Sequence, residues 1–178
     1  MRAPESFATA RLQLRRPTPA DAPAIFDRYA ADPEVTRYLG WARHRTIEDT
    51  RAFVRWSDQV WSSFPAGPYL IFDRADGRLC GSTGLDVETP WRAATGYVLA
   101  RDAWGHGYAT ECAAAMVQLG DAIGIVRVYA LCHVEHAASG HVLEKAGFAR
   151  EGVLRAHTIF PNLDASGPCD VECWARAR

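Results

Sequence analysis

The feature that most constrains this chain is a glycine-containing junction between a strand-like run and an amphipathic, helix-like run. Residues 95–100 have strand character, Gly105 and Gly107 follow, and a helical pattern begins at Tyr108. Glycine permits backbone conformations and close approaches that a Cβ atom would block. The first amides of a helix lack partners within the helix, and the helix dipole adds positive charge there. The junction therefore suits a phosphate or pyrophosphate, although a turn without a ligand would show the same local pattern.

Length, charge and cysteine usage limit the class of protein. The chain has 178 residues, 48% of them hydrophobic, and a net charge of −1, which fits one domain over residues 1–178. This charge argues against direct binding of nucleic acid or an anionic membrane, and the apolar runs are too short to span a bilayer. The N-terminus lacks the apolar core of a signal peptide. The five scattered cysteines favour a reducing compartment, so we expect a cytoplasmic protein, as a monomer or homodimer.

Two groups of side chains have the composition of a metal site. Cys169 and Cys173 are four residues apart, and His133 and His136 flank Glu135. Structural zinc usually takes four ligands in paired short spacings, and neither group has a second pair. Alternation along a strand would place both cysteines on one face, where cysteine behaves as a small hydrophobic residue. We therefore predict no metal.

The periodicity of apolar residues predicts seven strands and four helices in one mixed α/β domain. Thr18 with Asp21, and Thr46 with Asp49, have the spacing of capping boxes and mark the first two helix starts. Gly147 is expected to end the fourth helix in a left-handed conformation. The predicted strands are 11–15, 69–72, 79–86, 95–100, 126–132, 148–154 and 171–175.

Apolar residues recur at helical spacing in the first two predicted helices. In the helix expected to run to about residue 30, Ile25 and Tyr29 share the buried face. In the second helix, four apolar residues recur at that spacing. These are Phe53, Val60, Trp61 and Phe64.

Five short motifs occur in an order and spacing that together resemble a known family. They are Arg-Leu-x-Leu-Arg at 11–15, Tyr-Leu-Gly-Trp-x-x-His at 38–44, Gly-Tyr-Val-Leu at 96–99, Trp-Gly-x-Gly-Tyr-Ala-Thr-Glu at 104–111, and Ser-x4-Glu-Lys-x-Gly-Phe at 139–148. The last three resemble the GNAT superfamily of acetyl-CoA-dependent N-acetyltransferases. The first two are similar to its RimJ/RimL-like branch, which includes the ribosomal-protein N-terminal acetyltransferases. The resemblance covers nearly the whole chain.

The resemblance implies a mixed, mostly antiparallel, twisted sheet of about seven strands flanked by helices. It also implies a splay between the fourth and fifth strands, where the pantetheine arm of acetyl-CoA pairs with the freed strand edge while the pyrophosphate binds the junction amides. The family pattern Gln/Arg-x-x-Gly-x-Gly/Ala appears here as Trp104-x-x-Gly107-x-Ala109, so one side chain departs while the backbone-dependent positions remain. The implied acetyl-CoA-binding residues are Val98, Leu99, Ala100, Trp104, Gly105, His106, Gly107, Tyr108, Ala109, Thr110, His136 and Ser139.

The implied reaction is attack of a neutral amine on a thioester, which requires a base, an oxyanion donor and a proton for the departing thiolate. The resemblance assigns the thiolate proton to Ser139, although a first-turn helix serine without a catalytic role would look the same. A backbone N–H near Leu99 would stabilise the oxyanion. At position 136 the family usually has asparagine, and this chain has His136.

The base is less well defined by the sequence. Many relatives have a glutamate just before Gly96, where this chain has Ala94 and Thr95. His157 is the expected catalytic base because histidine titrates near neutral pH, although a surface histidine after a strand would have the same pattern. The alternatives are Glu88, Glu172 and a chain of water molecules.

The acceptor is expected to be bordered by loop residues Trp41, His44 and Trp91. The sequence thus predicts an acetyl-CoA-dependent N-acetyltransferase acting on a primary amine, preferentially a protein or peptide N-terminal α-amine. Two alternatives stay open: a small-molecule amine such as an amino acid, polyamine or antibiotic, and a non-catalytic acyl-CoA-binding module. A nicotinamide-binding fold is disfavoured because the glycine turn follows a meander of strands rather than the first strand of a βαβ unit.

Overall fold

In the computed structural model, which describes residues 1–163 and 166–178, eight strands form one mixed sheet with helices on both faces. The strands are β1 (Ser6–Ala8), β2 (Leu12–Arg15), β3 (Pro68–Asp73), β4 (Leu79–Thr89), β5 (Arg92–Leu99), β6 (Arg127–His133), β7 (Ala149–Thr158) and β8 (Cys169–Ala177). The helices are α1 (Ala22–Ile25), α2 (Ile47–Ser63), α3 (Tyr108–Ile123) and α4 (Ala137–Lys145). A 3₁₀ turn precedes α1 and a π-helical turn follows it, so that the three together span residues 19–30.

The strand order is β1-β2-β3-β4-β5-β6-β8-β7, and every neighbouring pair is antiparallel except β5 with β6. The predicted fold class is confirmed, with one strand more than expected. The additional strand, β1, has three residues. That length is too short for an alternating pattern to be visible in the sequence.

The β5–β6 pair separates soon after it begins. Its ladder has three rungs, Arg92 with Arg127, Ala93 with Val128 and Ala94 with Tyr129. β5 then continues to Leu99 and β6 to His133 without further pairing between them. The predicted splay between the fourth and fifth predicted strands is therefore present, and it begins after Ala94.

Two hydrophobic clusters fix the helices on the sheet. On one face, α1 and part of α2 pack on β3 and β5, and on the other face α3 and α4 pack on β3 and β6. The first cluster contains Ile25, Tyr29, Val54, Leu70 and Val98. The second contains Ile71, Cys112, Met116, Val128 and Leu143.

Both predicted capping boxes are confirmed. The backbone N–H of Thr18 donates to Asp21 Oδ2 at 2.7 Å, and the backbone N–H of Thr46 donates to Asp49 Oδ2 at 2.9 Å. The Gly147 cap is also confirmed, with φ at +85°. These local signals depend on a few adjacent residues, which explains why the sequence alone located them.

The four apolar residues at helical spacing in α2 do not share one buried face. The residues that α2 buries are Thr50, Val54, Ser57 and Trp61, whereas Phe64 is 46% exposed. A second apolar stripe on the same helix, Phe53, Trp56 and Val60, faces a large cavity. Because both stripes have helical spacing, periodicity could not tell the stripe that packs on the sheet from the one that lines the cavity.

Candidate active site

A cavity of about 1270 Å³ runs through the molecule at the β5–β6 splay. At one end, which we call the junction end, Trp104, Gly105 and Ala109 line it, together with Val142 and Leu143 of α4. At the other, which we call the α2 end, the lining includes the second stripe of α2 and the loop at 34–44. The cavity therefore connects the glycine junction to the opposite side of the sheet.

The junction presents a row of unpartnered backbone donors. Gly105 and Gly107 both have φ at +77°, a left-handed conformation that is costly for a residue with a Cβ atom. Within the described residues, 1–163 and 166–178, none of the amides of residues 105–110 donates to a backbone or side-chain acceptor. Six consecutive free amides at the start of a 16-residue helix are the kind of donor that an anion at a helix N-terminus requires.

Glu111 holds the junction against the first hairpin. Its carboxylate accepts hydrogen bonds from the Arg11 backbone N–H at 2.9 Å, from Arg11 Nε at 2.7 Å and from the Thr9 hydroxyl. Arg11 Nη1 also donates to the carbonyl of His106 at 2.7 Å. Burial alone would raise the pKa of Glu111, but these hydrogen bonds outweigh it and lower that pKa. Glu111 thus remains ionised while it fixes the loop that carries the free amides.

Four residues of the junction lie outside the cavity lining: His106, Gly107, Tyr108 and Thr110. His106 is exposed, and its Nδ1 lies 2.7 Å from the carbonyl of Trp104. Tyr108 is buried and donates its hydroxyl to Asp73 Oδ2 at 2.7 Å. The parts of Gly107 and Thr110 that remain available are main-chain amides, as the resemblance implies.

The free edge of β5 is centred on Leu99 rather than Ala100. Trp104 Nε1 donates to the carbonyl of Leu99 at 2.8 Å, so the Leu99 backbone faces the splay. The Ala100 amide instead donates to the carbonyl of Cys80 at 2.8 Å on the opposite side. Because the N–H and C=O of one strand residue point to the same side, the Leu99 amide also faces the gap. Ala100 is therefore not a free donor, which corrects that part of the expectation.

Ser139 lies at the splay and is joined to β5 by a tyrosine. The hydroxyl oxygens of Ser139 and Tyr97 are 2.9 Å apart, and both residues line the cavity. Burial raises the pKa of Tyr97 to about 12, so its hydroxyl keeps its proton near neutral pH. Tyr97 was not predicted as a site residue, although it stands inside the Gly-Tyr-Val-Leu motif. The two hydroxyls form a proton donor pair beside the gap.

His136 lines the cavity and stacks on Tyr38, with ring centroids 4.7 Å apart. Burial lowers the pKa of His136, and the neighbouring His133 lowers it further. A neutral imidazole therefore occupies the position at which the family usually has asparagine.

Trp41 and His44, two of the three predicted acceptor residues, line the α2 end of the cavity. Their ring centroids are 5.1 Å apart, and the row continues from His44 to Phe53 at 6.4 Å and from Phe53 to Trp56 at 5.9 Å. His44 Nδ1 lies 2.8 Å from the Thr50 hydroxyl, and burial lowers the pKa of His44. This aromatic row forms an apolar wall opposite the splay.

Two predicted site residues, His157 and Trp91, are not brought to the cavity. β7 extends to Thr158, so His157 lies within that strand, and its Nδ1 lies 3.0 Å from the hydroxyl of the lining residue Thr158. Trp91 is 57% exposed at the β4–β5 turn. Neither residue is among those that line the cavity, so the role expected for each stays a prediction. The two carboxylates considered as alternative bases form ion pairs, Glu88 with Arg92 at 2.6 Å and Glu172 with Arg150 at 2.8 Å.

The described part of the chain contains neither a metal-binding cluster nor a membrane-spanning helix. Within residues 1–163 and 166–178, no three His, Cys, Asp or Glu side chains cluster as they would around a metal ion. Over the same ranges, no helix combines the length and apolar character needed to cross a membrane.

The two buried histidines predict how stability depends on pH. Because folding lowers the pKa values of His44 and His136, the unfolded chain binds these protons at higher pH than the folded protein. The free energy of unfolding should therefore fall as the pH drops through about 6.5, the ordinary histidine value. Urea unfolding measured between about pH 7.5 and 5.5 tests this. The double variant His44→Gln/His136→Asn should flatten the dependence, and an unchanged slope would contradict the assignment.

Asn162 ties the loop of the α2 end to the segment after β7. Its Oδ1 accepts the Arg43 amide, and its Nδ2 donates to the carbonyls of Thr36 and Trp41, each at 2.8 Å. In Asn162→Asp a carboxylate oxygen would face those two carbonyls, at a cost of about 1–3 kcal/mol for the lost bonds. For the reaction that the resemblance implies, we expect a higher KM for the amine with an unchanged KM for acetyl-CoA. Steady-state kinetics with each substrate varied would show it, and equal changes in both constants would contradict it.

Comparison with known proteins supports the class indicated by the splay and the junction. The family model described as Acetyltransferase (GNAT) domain matches residues 11–149. The uncharacterized N-acetyltransferase YoaA of Bacillus subtilis (strain 168) is 33% identical over 152 residues, which cover 84% of this chain and 85% of that relative. The chain therefore belongs to the GNAT family of N-acetyltransferases.

Solved structures share the fold over almost the full length of the chain. RimL, a ribosomal alpha-N-protein acetyltransferase in complex with Coenzyme A, has a TM-score of 0.85 at 23% identity, covering 97% of this chain and 98% of that one. The self-immunity acetyltransferase MccE, in complex with acetyl-CoA and AMP, has a TM-score of 0.84 at 19% identity, covering 96% and 94%. At these identities the likeness shows the fold alone.

Proposed function

We propose that this GNAT acetyltransferase uses acetyl-CoA as its acyl donor and acetylates a primary amine, preferentially the α-amine of a protein or peptide. The observation that carries the proposal is the row of free amides at 105–110, of which Gly105 and Ala109 line the same cavity as Leu99. A diphosphate on those amides would direct the pantetheine arm along the free edge of β5. The thioester then lies between Leu99 and Ser139.

A backbone amide and two hydroxyl groups at the gap carry out the remaining steps of the reaction. The Leu99 amide donates to the carbonyl oxygen as negative charge develops on it. The amine nitrogen attacks the thioester carbon, and the C–S bond breaks as the thiolate takes a proton from the Ser139–Tyr97 hydroxyl pair, which regains one from the amine nitrogen. Modest help is sufficient, because a free thiol has a pKa of about 8.5.

The protein α-amine is favoured by the RimJ/RimL-like motifs at residues 11–15 and 38–44. A small-molecule amine is the second candidate, and the aromatic row at the α2 end supports it, since an apolar wall also suits a compact acceptor. The five cysteines are free thiols, which supports a cytoplasmic location, and we propose residues 1–178 as one catalytic domain.

Thiol release from acetyl-CoA with a panel of amines tests the proposal. The panel contains short peptides with free and blocked N-termini, amino acids, polyamines and aminoglycosides. Release with the free peptides and not with the blocked ones would support α-amine acetylation. Release with small amines alone would favour the second candidate. Tight CoA binding without release by any amine would overturn the proposal in favour of an acyl-CoA-binding module.

A further inference from the structure

The proposed reaction needs a proton acceptor for the amine, and the cavity lining contains one carboxylate without a partner. Three carboxylates line the cavity, from Glu34, Asp49 and Asp86. Glu34 pairs with Arg101, and Asp49 accepts the amides of the α2 capping box. Across residues 1–163 and 166–178, the Asp86 side chain has neither an ion pair nor a hydrogen bond. Its lone pairs are therefore available to a ligand in the cavity.

Asp86 stands at the row of the sheet where the splay begins. On β4 it lies opposite Ala94 of β5, and Ala94 lies opposite Tyr129 of β6 in the last rung of that ladder. Residues that pair directly across strands project from the same face. The carboxylate of Asp86 and the phenol of Tyr129 thus flank the small side chain of Ala94, and all three residues line the cavity.

The first row of the sheet from Asp86 towards the gap carries no side chains. It pairs Gly84 with Gly96, and both glycines line the cavity. A Cβ atom placed on Gly96 would meet no atom within 4 Å. Leu99 is five residues from Ala94 along β5, roughly 16 Å, so the proton of an amine in front of Leu99 reaches Asp86 through water molecules in the cavity.

Within the described residues no cation forms an ion pair with Asp86, whereas its neighbour on β4, Glu88, has one. Glu88, two residues further along β4, is neutralised by Arg92 and accepts the Tyr129 hydroxyl. Burial raises the pKa of Tyr129 to about 12, and the negative charges of Glu88 and Asp86 act in the same direction. Tyr129 therefore stays protonated and does not compete as a base. The other titratable groups of the α2 end, including Arg37, His44 and Asp49, come from the facing loop and helix.

We propose that Asp86 takes the proton of the acceptor's ammonium group before attack, through water molecules in the cavity. This role rests on the proposed acetyl transfer and completes it. The carboxylate gains the proton that the ammonium loses, which leaves a neutral amine and a carboxylic acid. The amine then attacks the thioester, and the carboxylic acid returns its proton to solvent after the product leaves. The acceptor class is consequently a cationic primary amine whose substituent contacts the aromatic row.

The test compares Asp86→Asn with Glu88→Gln, which removes the same charge from the same face of the same strand. We expect Asp86→Asn to lower kcat/KM for the amine about 10²-fold near neutral pH, the lower end of the range for general base catalysis. The loss should shrink as the pH approaches the pKa of the amine, because the neutral amine then needs no base. Glu88→Gln should stay close to wild type, and Asp86→Glu should keep much of the activity. The KM for acetyl-CoA should be the same in all three.

Each outcome separates this role from the proposed function. Wild-type kcat/KM in Asp86→Asn, in a protein that does acetylate an amine, would overturn the role of Asp86 alone. A loss in Glu88→Gln equal to that in Asp86→Asn would overturn it as well, because a general charge effect would then be responsible. Turnover of no amine by the wild-type protein would overturn the acetyl transfer on which the role rests.

Discussion

Gly107→Val is expected to weaken the binding of CoA by at least about tenfold, because a left-handed residue with a Cβ atom costs about 1–2 kcal/mol. Gly107 has φ at +77° at the N-cap of α3. A valine there would favour a negative φ, and the six free amides would no longer converge on one anion. Isothermal titration with CoA measures the effect directly.

Gly124→Val is the matched control, because Gly124 caps the other end of the same helix. Its φ is +93°, and a Cβ atom there would meet nothing within 4 Å. Both variants should lower the thermal unfolding midpoint by similar amounts, whereas Gly107→Val alone should lose CoA affinity. Equal CoA affinity in the two variants would show that the amides of the junction do not bind the diphosphate.

Ser139→Ala is expected to lower kcat about 10²-fold, the scale of one lost proton-transfer group, with little change in CoA affinity. Tyr97→Phe should cause a similar loss, because the two hydroxyl oxygens are 2.9 Å apart and act as one donor. The double variant should then be much less impaired than the product of the two single losses predicts. Single-turnover measurements with saturating amine would isolate the chemical step.

Tyr69→Phe is the control for removal of a buried tyrosine hydroxyl. Tyr69 donates to the carbonyl of Pro4 at 2.6 Å and does not line the cavity, so its loss should affect stability and leave kcat unchanged. Fully additive effects of Tyr97→Phe and Ser139→Ala would contradict the shared donor. Wild-type kcat in Ser139→Ala would remove Ser139 from the reaction.

Local patterns predicted most of the fold. The two capping boxes, the left-handed Gly147 and the start of α3 at Tyr108 each depend on a few adjacent residues, and each is present. Periodicity failed where one element serves two surfaces, as in α2, where the stripe of Phe53, Trp56 and Val60 lines the cavity. It failed also for β1, which is too short to carry a pattern.

The candidate site was only partly predictable, because one part is a continuous segment of the chain and the other is assembled from distant strands. The junction amides belong to the continuous segment, so its glycines predicted them. The acceptor side is assembled from distant strands, and the alignment of Asp86 with Ala94 and Tyr129 follows from the register of three strands. His157 was selected because histidine has suitable chemistry, but β7 runs four residues beyond its predicted end, so this residue lies in a strand and outside the cavity lining.

A crystal structure with CoA would test the central claim most directly. We predict that the diphosphate oxygens lie within hydrogen-bond distance of the amides of residues 105–110, and that the sulfur lies in the gap between Leu99 and Ser139. A diphosphate bound away from those amides, or a pantetheine arm outside the β5–β6 splay, would contradict it.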